Sequence, residues 1–260
     1  MRARMSVGVC ALALGLALAP RLLVAQGNTP VVAVLYFDNN SFGKDRADYD
    51  GLGKGIADLL INDMAANPSM RVVERDRIQS ILQEQSLVQT KSIDPQTAVR
   101  LGRLLGAQYM ITGGFMSDGK GTLLVTSRVI NVETGAITNP LKLESKGGED
   151  VLALIGQLSA RLNTDLKLPP MPRQTGDAGA SKPSGDAGAR PAGHESPARN
   201  ASAKSQKLDV KTALLYSKAL DEQDGGNPQK AAELYRAVLQ RFPDFGPARQ
   251  NLAKVQKSGD

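Results

Sequence analysis

The stretch from Pro169 to Lys207 constrains this chain more than any other, because a packed core cannot run through it. Pro, Gly, Ala, Ser, Asp and Arg dominate there, and the pentapeptide Gly-Asp-Ala-Gly-Ala occurs twice, at 176–180 and 185–189. So little apolar surface does not offset the entropy of ordering the backbone, and the composition predicts a disordered, weakly basic linker. The 260 residues therefore divide into a leader over 1–25, an α/β domain over 26–168, the linker over 169–207 and a short all-α unit over 208–260.

The leader has a cationic start with Arg2 and Arg4, then an apolar run of thirteen residues from Val7 to Ala19, and reaches the small residue Ala25 before Gln26. That build predicts a secretory signal peptide cleaved after Ala25. An uncleaved anchor is the alternative, but thirteen helical residues rise only about 20 Å against a hydrocarbon core of roughly 30 Å. Cys10 follows only nine residues, too few for a lipoprotein signal, and Val7-Gly8-Val9 is a poor lipobox.

Cys10 is the only cysteine and His194 the only histidine. No disulfide can form within the chain, and no metal site built on His or Cys can be completed. His194 lies in the linker, a poor place for a catalytic base. No pair of carboxylates is arranged for acid–base chemistry, so the reading is no enzyme, no cofactor and no metal. The net charge of +6 sits in the leader and linker, because residues 26–166 carry fourteen basic against sixteen acidic groups. A nucleic-acid footprint needs a basic stripe on folded structure, and the absence of tryptophan removes the best stacking group.

Ahead of the linker the pattern reads strand, helix, strand, helices, strands, helix. Val31 to Phe37 is a continuous apolar run, as in a strand buried on both faces. Leu52, Ile56, Leu59, Leu60 and Met64 stripe a helix that Asn67-Pro68 stops. Arg71–Arg75 is a short strand, and Ile78, Ile81, Leu82 and Leu87 mark the next helix. Asp94-Pro95 opens another helix running to Gly106. Tyr109–Thr112 reads as a strand, and Leu123–Val132 with Ala136–Lys142 as a hairpin turning at Glu133-Thr134-Gly135. Asp150 to Leu166 closes the domain as an amphipathic helix. The expected fold is a mixed sheet flanked by helices.

After the linker the pattern is helical over Ala213–Gln223, Gln229–Arg241 and Ala248–Lys257. Ala231, Tyr235, Val238 and the following Pro243 resemble the second half of a tetratricopeptide repeat. One repeat is too short to stand alone, so the stripe through Leu234, Val238 and Leu252 predicts a face that docks on a partner.

Three motifs invite chemistry. Asp50-Gly51-Leu52-Gly53-Lys54-Gly55 suggests a phosphate cradle, but Tyr49 replaces the first glycine of a P-loop and Gly55 its Ser/Thr, so the glycines read as close helix–strand packing. Asp38-Asn39-Asn40-Ser41, with Asp45, Asp48 and Asp50, does not fit a calcium loop and reads as a solvated, partner-facing loop. In Glu74-Arg75-Asp76-Arg77, Asp76 suits a helix N-terminus and the arginines pair locally.

Four ordered segments carry a family resemblance: Val32–Phe37; Leu52-Gly53 with Ile56–Leu60; Arg71–Arg75 with Ile78, Leu82 and Glu84; and Leu101–Gly113. Together they resemble the curli production assembly/transport (CsgG-type) family over roughly 31–166. The resemblance implies a periplasm-facing domain that forms homo-oligomeric rings and serves export or assembly without catalysis. Two departures count against a pore. The leader offers no lipidated cysteine, and Phe115–Lys146 is too short for two membrane hairpins, with Ser127, Arg128 and Asn131 spoiling either face. The expectation is a non-catalytic periplasmic adaptor whose tail recruits an envelope protein partner from the end of its linker. An outer-membrane export channel is the alternative, with outer-membrane association, and a nucleotide-binding enzyme the weaker one.

Overall fold

The structure is a computed structural model that describes residues 29–87, 93–118, 122–138, 140–145, 150–167 and 207–257. The expected leader and its cleavage site, Cys10, the expected linker up to Gln206 and His194 lie outside the described residues.

Strand β1 (Val31–Val34) leads into β2 (Asp38–Asn39), a 3-10 helix (Lys44–Tyr49) and helix α1 (Leu52–Met64). Strand β3 (Arg71–Val72), helices α2 (Arg75–Glu84) and α3 (Pro95–Leu105), and strands β4 (Tyr109–Ser117), β5 (Leu123–Asn131) and β6 (Leu141–Ser145) follow. Helix α4 (Val151–Asp165) ends this part, and α5 (Val210–Asp224), α6 (Pro228–Arg241) and α7 (Gly246–Lys257) form the tail. The sheet runs β3-β1-β4-β5-β6, with β2 also pairing β4. β1 is parallel to β3 and β4, whereas β5 and β6 are antiparallel to their neighbours. The expected mixed α/β fold is the one observed.

Paired positions share a face. On one face, Ile111, Gly113 and Phe115 stand opposite Val129, Ser127 and Val125, and Val125 opposite Leu143. This face is buried beneath α1 and α4, which also touch each other. On the other face α3 covers Met110, where Gly102 lets the helix backbone approach Met110 and Val132. Farther along that face Arg128, Lys142 and Glu144 are exposed.

Local chemistry sets the helix ends. Asp94 accepts from the Gln96 and Thr97 amides at 3.0 Å each, Pro95 opens α3, and Gly106 ends it with φ 66°. Asp150 caps α4 by accepting from the Leu152 amide at 3.0 Å, and Asp209 caps α5 through the Thr212 amide at 2.6 Å.

Three elements differ from the sequence reading. The apolar run Val31–Phe37 leaves the ladder early, because the Phe37 amide donates to Gly53 of α1 at 3.2 Å. β4 continues through Gly113-Gly114 to Ser117, since a Cβ at Gly113 would strike the Thr126 carbonyl and the Phe37 ring. In the hairpin, Asn131 accepts from the Glu133 and Thr134 amides at 2.9 Å each and closes the turn. Ile137 then makes a lone bridge to Ile130, and pairing resumes only at Leu141, past the donor-less Pro140.

The tail corrects the largest expectation. It does not stand off on its linker: α5 packs against α1, and Tyr216, Tyr235, Val238 and Phe245 belong to the same buried cluster as Val34 and Leu60. The tail begins beside α4 at Leu208, whose amide donates to Asp150 at 2.9 Å and whose carbonyl accepts from Val151 at 2.9 Å.

Candidate functional site

The contact between α1 and the tail is polar at its centre. Arg75, at the start of α2, donates to both carboxylate oxygens of Asp224 at 2.6 and 2.7 Å, to Asp76 at 2.9 Å, and lies 3.3 Å from Asp58. Lys54 pairs with Asp221 at 2.6 Å and with Asp224 at 2.9 Å, and stands 5.4 Å from the centre of the Tyr36 ring. The Tyr216 hydroxyl donates to Asp58, and the Asn251 amide donates to the Tyr216 oxygen at 2.9 Å. Lys254 of α7 reaches Asp76 at 3.1 Å. Lys54, Arg75 and Lys254 thus face Asp58, Asp76, Asp221 and Asp224, so charge nearly balances. Around Tyr216 the rings of Tyr235 and Phe245 lie 5.9 and 5.0 Å away, the latter edge-on.

Burial governs the electrostatics, since Asp58 and Arg75 are each only 4% exposed. Burial pushes the Asp58 carboxyl up, against the Tyr216 hydrogen bond and the Arg75 charge, which both favour its ionised form. Burial alone would lower Arg75, but the Asp224 carboxylate outweighs it and holds the guanidinium above its ordinary value. The Tyr216 phenol is raised well above its usual value, first by burial and then by Asp58. Tyr36, which donates to Gln79 at 2.7 Å, is raised by burial and by the Asp224 charge. Cations and carboxylates here neutralise one another, and the arrangement clamps two parts of the chain.

The motifs singled out in sequence fall around this clamp. Gly53 packs on the Phe37 carbonyl, as close helix–strand packing requires. Gly51 and Gly55 do something else: a Cβ at either would collide with Asp221 or Ser217 of α5, so these glycines admit the tail. Lys54 is held by two tail carboxylates. In Glu74-Arg75-Asp76-Arg77, Arg75 does bind Asp76, but its main partner, Asp224, lies 149 residues away, which corrects the purely local pairing expected.

In the Asp38–Asp50 loop, Asn39 and Ser41 both have hydrogen-bond partners. Asn39 donates to the Arg46 carbonyl and to Asp50, both at 2.8 Å, and accepts from the Ser41 amide at 3.0 Å. Ser41 in turn accepts from the Ser117 amide at 2.9 Å, which ties the loop to the end of β4. Ser127 is buried and donates to the Thr112 carbonyl at 3.1 Å, whereas Arg128 is exposed. Asn131 is the turn-former of the hairpin. Among the described residues, no three His, Cys, Asp or Glu side chains are grouped to hold a metal ion, and no helix is long and apolar enough to cross a membrane.

Sequence reasoning missed Asp58, Asp221 and Asp224. One signal was available: α1 reads Ile56-Ala57-Asp58-Leu59-Leu60-Ile61, apolar on nearly every side, and a helix apolar all round must be covered by a further layer.

The fold defines a class: a mixed α/β domain sealed on its α1 side by a C-terminal helical tail. Residues 24–122 match the family model described as "Curli production assembly/transport component CsgG". The match begins ahead of β1, runs through β4 and stops before β5 and the tail. Solved structures similar to the chain include the LpoB C-terminal domain from Salmonella enterica, with 20% identity over 47% of this chain and 87% of that one and a TM-score of 0.35. Another is the PelC dodecamer from Paraburkholderia phytofirmans, with 16% identity, 54% and 89% coverage and a TM-score of 0.34. A lipoprotein from Neisseria meningitidis shows 12% identity, 53% and 96% coverage and a TM-score of 0.36. No curated protein matches the chain in sequence.

Proposed function

We propose that the chain is a non-catalytic adaptor of the bacterial cell envelope, exported by a cleavable leader and acting in the periplasm as an assembly or secretion component. The observation that carries this reading is the match of residues 24–122 to an assembly and transport family. The surface chemistry agrees with it: the one lysine of the glycine-rich motif, Lys54, is engaged by Asp221 and Asp224. A nucleotide-binding role therefore draws no support from that motif. In this reading the α/β domain works by surface contact and self-associates, and the tail braces it from behind α1.

An export channel draws less support. Membrane strands need one face for lipid, and here β5 and β6 expose Arg128, Lys142 and Glu144 on one side while Val125 and Leu143 are buried on the other. Fractionation of cells producing the full chain tests the proposal. Release by osmotic shock without detergent, with an intact mass beginning at Gln26, is the expected result. Recovery only in detergent would favour the channel, and a full-length cytoplasmic chain would overturn the export reading.

A further inference from the structure

Among the described residues, three large hydrophobic side chains stand exposed: Phe42, Leu104 and Ile137. Two of them mark opposite ends of the β4–β5 pair. Phe42 is 81% exposed and follows Asn40 and Ser41, which bond to Phe115 and Ser117 at the end of β4. Ile137, 45% exposed, lies at the other end, where Tyr109 pairs with Asn131. It lines an open cleft of about 210 Å³ with Tyr109, Val129, Asp165 and Leu166.

We propose that Phe42 of one copy seats in the Ile137 cleft of the next copy, so that the chain self-associates head to tail. The size is adequate, since a cavity of about 150 Å³ already holds a benzene ring. Charge is complementary as well: Arg46 lines the same hollow as Phe42, and the exposed Asp165 lines the Ile137 cleft. The knob is pre-organised, because the Asn39 bonds to Arg46 and Asp50 fix its loop before any contact forms. Knob and cleft cannot meet within one copy, since the nine residues of β4 hold them apart by roughly 3.3 Å per residue. A second copy is therefore the partner that supplies the missing half to each.

Such a contact joins unlike surfaces, so it propagates, closing into a ring or extending as a filament according to the rotation per subunit. One phenylalanine buries roughly 150–250 Å² against the ~800 Å² per partner of a stable interface, so Phe42 is the anchor of a wider contact. The inference rests on the proposal that the α/β domain self-associates, and the test separates the two.

The full chain carrying Cys10→Ser receives Phe42→Cys in one preparation and Ile137→Cys in another. On mild oxidation, the mixture is expected to give a disulfide-linked pair at least tenfold above either preparation alone, while light scattering of the Cys10→Ser chain reports oligomers. Phe42→Asp should weaken self-association at least tenfold with an unchanged melting temperature. Arg46→Glu should weaken it too, and adding Asp165→Arg should restore it. Oligomers without the mixed cross-link, or unaffected by Phe42→Asp, would overturn this contact while leaving self-association standing. A strict monomer at high concentration would overturn both.

Discussion

The sheet with its α1–α4 cover and the α1–tail seam are built by opposite means. Beneath α1 and α4 the contacts are mostly Val, Leu, Ile and Phe side chains, and any apolar group of fitting size satisfies such a surface. At the seam, Arg75, Asp58, Lys54, Asp221 and Asp224 must meet in one geometry, and a mismatch leaves a charge buried without its partner. Apolar layers give this chain its stability. The ionic seam gives the tail one place to sit.

The sharpest way to break that contrast is to cut each layer once. Arg75→Ala leaves Asp224 with Lys54 alone and Asp58 without a cation, and should cost about 3–5 kcal/mol. Leu60→Ala, at a fully buried position of α1, should cost about 2–5 kcal/mol. The two should differ in distribution more than in size. Hydrogen exchange on the full chain should show α5–α7 opening ahead of the sheet in Arg75→Ala, and a global loss in Leu60→Ala. Equal loss of protection across both regions in Arg75→Ala would mean that seam and core are one cooperative unit.

Glycines sharpen the comparison at smaller scale. Gly55→Ala drives a Cβ into Ser217 and should destabilise by about 1–3 kcal/mol, with Ser217→Gly relieving part of the loss. Gly156→Ala, in α4 with open space around it, should instead stabilise by roughly 0.5–1 kcal/mol. Urea unfolding of the single and double variants measures both. If the two alanines behave alike, the close approach of α5 to α1 is not what Gly55 is for.

The smallest effect expected is one of pH. Burial raises the Asp58 pKa in the folded chain, so the folded state takes up that proton before the unfolded state does. Asp58 therefore adds stability as pH falls from above its raised value towards the ordinary carboxylate range, and loses it as pH rises. Asp58→Asn should flatten this part of the stability–pH profile. An unchanged profile would remove Asp58 as its source.

What could be read from sequence follows the same division. Periodic apolar residues located α1, α2 and α4 and the tail helices, because one helix carries its whole stripe locally. Asp94-Pro95 and Gly106 marked α3, because caps are local as well. The seam was illegible, since nothing in Glu74-Arg75-Asp76-Arg77 points to a carboxylate 149 residues away. The sequence reading ended the strand at Thr112 for a related reason: the space that Gly113 and Gly114 provide is needed by Phe37 and Asn40, outside the strand they sit in.

Asp150 has a topological consequence. One of its oxygens receives both the Leu152 amide that begins α4 and the Leu208 amide where the chain returns. The described chain thus stops at one end of a fifteen-residue helix, at Lys167, and resumes at the other, beside Asp150, a span of about 23 Å. Closing a loop between such ends costs only about 0.6 kcal/mol more for each doubling of its length. The second Gly-Asp-Ala-Gly-Ala is thus the kind of duplication whose energetic cost this placement of the two ends keeps small.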